Sequence, residues 1–303
     1  MSLEEAVAAY LRGLQASSKQ RHSRLWLARF SEFCEPRDVR KVAQIDFELL
    51  DAYRQHLFWK PGPKGVPYSQ NSLFQAQQMV RLFVRWLHGR ELLLVDPTQG
   101  WILRRPQARA RQVPSVENVA RLLAAPSAQH RTGLRSRAVL ELLYGTGIRL
   151  AECEALNLDS VDLETSRMHV RGKGAKDRAL PIGASLRQSL SRYLEVRSSF
   201  KPGPEEPAFF LSVTGRRLEK QNLRGAIWRA CELAGLPRFG PHMLRHAFAV
   251  HLMESGADLA YIQALLGHEN VSTTAIYTEV RSVELAAEYR RTHPRARRDS
   301  SQS

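Results

Sequence analysis

At 303 residues the chain is longer than one core of the commonest size and shorter than three, so two domains are the natural expectation. Hydrophobic residues make up 43% and charged residues 25%, which excludes the low-hydrophobicity class of disordered chains. Forty-five Lys plus Arg against 30 Asp plus Glu leave a net charge of +15, which points to a polyanionic partner, nucleic acid before a membrane surface.

Cys34, Cys153 and Cys231 are odd in number and far apart, which argues against a disulfide framework or a zinc ribbon and suits a reducing cytosol. The first residues carry Glu4 and Glu5 where a signal peptide needs bases, and no apolar run reaches about 18 residues. A cytoplasmic protein without a membrane segment is expected.

In the first hundred residues the pattern is helical. Ser17 to Arg24 open one helix, where Lys19, Arg21 and Arg24 with neighbouring hydroxyls can meet phosphates while Leu25, Leu27 and Phe30 pack inward; a plainly solvated helix start fits the same residues. Leu73, Val80, Val84 and Leu87 line one face of another helix, with Gln77, Arg81 and Arg85 on the opposite side. Between Trp101 and Pro114 periodicity fails, and Arg104, Arg105, Arg109 and Arg111 appear between prolines, as in an extended basic linker. The expected boundaries are therefore a helical first domain over 1–103, a basic linker over 104–114 and a second domain over 115–303.

The second domain mixes helices with one hairpin. Met168 and Val170 alternate before a Gly-containing loop holding Lys173 and Lys176, and Leu180 and Ile182 alternate after it, with Lys176 and Arg178 among the bases available for a nucleic-acid partner. Arg149 follows the helix-ending run Tyr144-Gly145-Thr146-Gly147-Ile148. Further on, Pro241-His242-Met243-Leu244-Arg245-His246 sets two imidazoles and a guanidinium on one helical face that can grip an anion. A zinc helix would need glutamate after its first histidine, where this chain has Met243. His268 and Tyr277 follow, and Val283, Leu285 and Ala286 beside Glu284, Glu288, Arg290 and Arg291 suit a short amphipathic helix able to dock on a partner.

Taken singly, each of these residues fits a bland role, a packing tyrosine or a solvated arginine. In their order and spacing, Arg149, Lys173, His242, Arg245, His268 and Tyr277 resemble the signature of the tyrosine recombinase (phage integrase) family, and the wording around them resembles the Xer-type site-specific recombinases. The likeness reaches the amino half, where Arg81-Leu82-Phe83 through Asp96-Pro97 and Val113-Pro114-Ser115 resembles the end of a core-binding domain and its linker. Val250 and Glu279 depart from many relatives, and neither is a catalytic position.

The resemblance implies a mainly α protein with a small antiparallel β hairpin or sheet in the C-terminal domain, arranged as a two-domain C-shaped DNA clamp of a SAM-like core-binding domain and a catalytic domain. It implies DNA cleavage and rejoining through a 3′-phosphotyrosine on Tyr277 and a Holliday junction, without cofactor or metal. The expected partners are duplex recombination sites, a homo- or hetero-tetramer with itself or a paralogous recombinase, and a DNA translocase or accessory activator. Resolution of chromosome or plasmid dimers at cell division is the expected role, with a mobile-element integrase or resolvase as the alternative.

The chemistry is independently sensible. Attack on a phosphodiester builds negative charge on two non-bridging oxygens, which Arg149 and Arg245 can meet with rigid, permanently charged forks. The leaving 5′ oxygen needs an acid, a role the resemblance gives to Lys173. His242 would act as base or phosphate donor near the Tyr277 hydroxyl, and His268 as a donor to a non-bridging oxygen. His246 is expected to make a structural bond instead.

Overall fold

A computed structural model describes residues 1–14, 18–60, 62, 65–106, 113–171, 177–267 and 279–296, without the side chains of 18, 19 and 279–285. The chain divides into two compact units, Met1–Arg111 and Gln112–Ser303, and the divide falls inside the proline-flanked basic stretch.

The first unit holds four helices, α1 (Leu3–Gly13), α2 (Ser18–Cys34), α3 (Phe47–Trp59) and α4 (Gln70–His88). Helix α1 starts at a reciprocal cap in which the Glu5 amide donates to the Ser2 hydroxyl and the Ser2 amide donates to the Glu5 carboxylate. In α4 the residues Leu73, Ala76, Val80, Phe83, Val84 and Leu87 are all buried, the stripe that the spacing foretold. The inward face of α2 is Trp26, Leu27, Phe30, Phe33 and Cys34. Leu25, expected inside, is 46% exposed, because a helix that points residues 26, 27 and 30 inward turns residue 25 off that face.

The second unit is built around a helix. After α5 (Val116–Ala124), helix α6 (Arg131–Thr146) is buried on every side from Ala138 onward. Around it lie α7 (Leu150–Ala155), α8 (Ala184–Arg197), α9 (Lys220–Leu233), α10 (Pro241–Glu254), α11 (Leu259–Leu266) and α12 (Glu279–Thr292). Three antiparallel strands, β1 (Val161–Asp162), β2 (Arg167–Arg171) and β3 (Asp177–Pro181), stand in sequence order, with Met168 opposite Leu180 and Val170 opposite Arg178. The expected hairpin is thus present, its tip at 172–176 lying outside the described residues. No described helix is long and apolar enough to cross a membrane.

The chain beyond α12 is drawn into its own unit. Tyr289 and His293 are buried, their rings stacked at 4.8 Å, and His293 also meets Tyr144 and Phe248. Glu141, buried on α6, pairs with Arg295. The last turn of this helix and the residues after it carry the aromatic and charged groups that fit α6; the side chains of Val283 and Leu285, on which docking to a partner was expected, lie outside the described residues.

Burial drives the His293 imidazole down to about 3, so between there and its ordinary value only the unfolded chain takes up the proton. Its stabilisation is complete above about pH 6.5 and declines as pH falls, by at most about 1.4 kcal/mol per pH unit. Urea unfolding at pH 7.5, 6.5 and 5.5 is expected to show this decline in the wild type and a shallower one in His293→Phe.

Candidate active site: three arginines on one glutamate and one helix end

The site begins where α6 stops. Gly147 closes the helix in the left-handed region, φ +62°, and a Cβ there would come within 2.5 Å of the Phe248 ring, so both conformation and space call for glycine. The chain then turns into α7 with Arg149 as its N-cap residue. Three residues on, Glu152 folds back: its Oε2 accepts from the Arg149 amide at 2.7 Å and its Oε1 from Arg149 Nη1 at 3.1 Å.

Glu152 is 8% exposed and also receives the fork of Arg178 from β3, Nη1 to Oε1 at 3.0 Å and Nη2 to Oε2 at 2.9 Å. Burial alone would raise its carboxyl; the hydrogen bonds from Arg178 and Arg149 and the Arg178 charge outweigh that and hold it below the usual carboxylate range.

Arg245 comes from α10. Its Nη1 donates to the Gly147 carbonyl at 2.6 Å and its Nη2 to the Leu266 carbonyl at 2.7 Å. Burial, then the neighbouring Arg149 charge, brings its pKa down to about 10, which leaves it cationic at neutral pH.

The third wall is the end of α11, which Gly267 closes at φ +63°. Its last carbonyls would lack helical partners, and each of three in succession accepts from a different arginine: Leu265 from Arg178 Nε at 3.0 Å, Leu266 from Arg245, and Gly267 from Arg149 Nη2 at 3.3 Å. The negative end of the α11 dipole faces the same cations.

The structure therefore brings Arg149 and Arg245 together. His242 is exposed in the first turn of α10, one turn before Arg245. Lys173, Lys176, His268 and Tyr277 lie outside the described residues. His246, expected to hold a structural bond, is exposed and makes no hydrogen bond to another described residue, since i+4 from His242 stays on the solvent side of α10.

Of the bases proposed for DNA, Arg21, Arg24, Arg104 and Arg105 are exposed on the first unit, Arg81 is half-buried, and the Lys19 side chain is outside the description. Arg178 differs from that expectation. Its side chain is 14% exposed and committed to Glu152 and Leu265, because β3 alternates and Arg178 shares the inward face with Leu180. Sequence reasoning missed Glu152, although an acid in the first turn of a helix three residues after Arg149 is the signal of a reciprocal cap.

The phage integrase family pattern matches residues 114–284. The chain belongs to this family, the tyrosine recombinases, enzymes of DNA cleavage and strand exchange. Among its relatives, "Tyrosine recombinase XerC 2" of Ralstonia nicotianae is 37% identical over 278 residues, covering 90% of this chain and 80% of the relative. "Tyrosine recombinase XerC" of Serratia marcescens is 34% identical over 99% of this chain and 98% of its own length. In fold, the chain is similar to a lambda integrase tetramer bound to a Holliday junction, with a TM-score of 0.68 and 15% identity over 90% of this chain and 79% of that one.

Because Arg245 reaches the Gly147 and Leu266 carbonyls with two separate nitrogens, which a single lysine ammonium cannot both replace, Arg245→Lys is expected to strand one of them. A loss of about 1–3 kcal/mol in unfolding free energy, read by urea denaturation at pH 7.5, checks this.

Proposed function

We propose that Arg149, Lys173, His242, Arg245, His268 and Tyr277 carry out site-specific strand exchange on duplex DNA through a covalent 3′-phosphotyrosine. The observation that supports this most is the fixing of Arg149 and Arg245 by the protein's own backbone carbonyls and Glu152. Each uses two of its N–H groups on carbonyls or Glu152, leaving three of the five that a guanidinium offers for a phosphate.

In the cleavage step the Tyr277 hydroxyl oxygen bonds to phosphorus and the bond from phosphorus to the 5′ oxygen breaks. His242 takes the phenol proton, and Lys173 protonates the departing 5′ oxygen. Arg149, Arg245 and His268 hold the charge that builds on the non-bridging oxygens. Attack by a 5′-hydroxyl of the partner strand reverses these bond changes, so the phosphodiester energy is kept in the tyrosyl linkage and no nucleotide is consumed.

Lys19, Arg21, Arg24, Arg81, Arg104, Arg105 and Lys176 contact the phosphates, with 104–114 as the linker between a DNA-binding domain and the catalytic domain. Four protomers, of this chain alone or with a paralogue, act on two sites through a Holliday junction. The XerC names of the relatives favour resolution of chromosome or plasmid dimers in the cytoplasm, with a translocase or accessory protein as activator.

The test is a nicked suicide duplex carrying a candidate site. Wild type is expected to form an adduct that survives denaturation, and Tyr277→Phe to form none while binding the same duplex. Blank lanes for wild type on a site it binds would overturn the catalytic reading.

A further inference from the structure

Arg178 is the one cation of this cluster that has no role in the chemistry above, yet it touches more of the site's framework than either catalytic arginine. Strand alternation puts it on the buried face of β3, opposite Val170. All three nitrogens of its fork are engaged: Nε on the Leu265 carbonyl, and Nη1 and Nη2 on the two oxygens of Glu152. A Cβ on Gly267 would lie 3.2 Å from Arg178 Nη1 and 3.3 Å from Cζ, so the guanidinium lies close against the turn that leads into His268.

Glu152 takes four hydrogen bonds, two on each oxygen, one pair from Arg149 and one from Arg178. Its acceptor capacity is filled, and this decides where Arg149 can go. A carboxylate buried to this degree keeps a bidentate partner whenever one is in reach. With Arg178 absent, Arg149, which already donates to Glu152 through Nη1, can take the freed acceptor sites, and pairing fully with Glu152 would draw its guanidinium off the Gly267 carbonyl and away from a phosphate.

We propose that Arg178 is a positioning residue: by saturating Glu152 it holds Arg149 in its phosphate-binding pose, and through Leu265 it ties β3, which follows the Lys173 segment, to the turn before His268. This rests on the reading of the site as a recombinase centre. Arg178 acts through Arg149 and the Leu265–Gly267 turn, and it makes no contact with DNA.

The test uses the full chain with Arg178→Lys, Glu152→Gln and the double variant. Lysine keeps the charge, and its single ammonium cannot span three acceptors. Each is measured for duplex affinity across salt concentrations and for the single-turnover rate of adduct formation at saturating suicide duplex.

Arg178→Lys is expected to slow adduct formation at saturating duplex by about 10²-fold, the cost of a misplaced reacting group, with duplex affinity changed far less, since only one of many phosphate contacts shifts. Glu152→Gln is expected to do the same, and the double variant to be no slower than the slower single, since both break one network. Should Arg178→Lys fail to fold, Glu152→Gln carries the test by the same two readouts.

Three outcomes overturn the proposal: a variant rate within about twofold of wild type, a loss of duplex affinity in Arg178→Lys as large as its loss in rate, which marks a direct bidentate DNA contact, or single effects that multiply in the double variant. A wild type that binds its site and forms no adduct fails the recombinase reading, and this inference falls with it; a wild type that cleaves beside variants that also cleave fails the inference alone.

Discussion

Three guanidinium groups share one small region of this protein, and the repulsion among them is the constraint the second unit has to answer. At the separations of neighbouring side chains each such pair costs on the order of a few kcal/mol near a protein surface. One buried carboxylate, Glu152, faces two of the three, and the C-terminal carbonyls of α11 face all of them. The geometry of both helix ends follows from this. Leu265, Leu266 and Gly267 can present three carbonyls in sequence because Gly267 takes a left-handed conformation, and Gly147 presents a fourth to Arg245 by the same device.

This answer does not neutralise the cluster. Three cations against one acid leave an excess of two positive charges, and the carbonyls contribute dipoles without cancelling charge. Arg245 feels the excess, its pKa lowered first by burial and next by Arg149. Such an arrangement suits an anion that carries charge on two oxygens, and its donors are held in place by carbonyls and one carboxylate of the same unit. Enzymes of DNA cleavage and strand exchange gain from cations that stay in place through both steps.

Much of this was legible from the residues, and the failures are instructive. The core face of α4 and the pairing of Met168 with Leu180 announce themselves because periods of 3.6 and 2 survive in any sequence that buries one face. The same period of 2 places Arg178 two residues before Leu180, on the inward side, and counting it among surface bases overlooked that rule. Glu152 hid for a different reason: an acid near a helix start is common, and only the fold shows that it is buried and doubly paired. The three α11 carbonyls could not be read at all, since backbone groups carry no residue label and their role depends on three side chains from β3, α7 and α10 meeting one helix end.

The end of the chain shows how far the site's support extends. Tyr289 donates to the Gly145 carbonyl at 2.7 Å, so the turn Gly145-Thr146-Gly147 is held from one side by a residue 144 positions away and from the other by Arg245. The family pattern stops at 284, yet Tyr289, His293 and Ala296 all belong to the core of this unit. The arginine cluster is thus assembled from contacts between distant parts of the chain, each of which has to offset the entropy of closing a long loop. A site of this kind is completed by the whole unit, and the turn that aims Arg149 is only as well defined as the seating of the last helix.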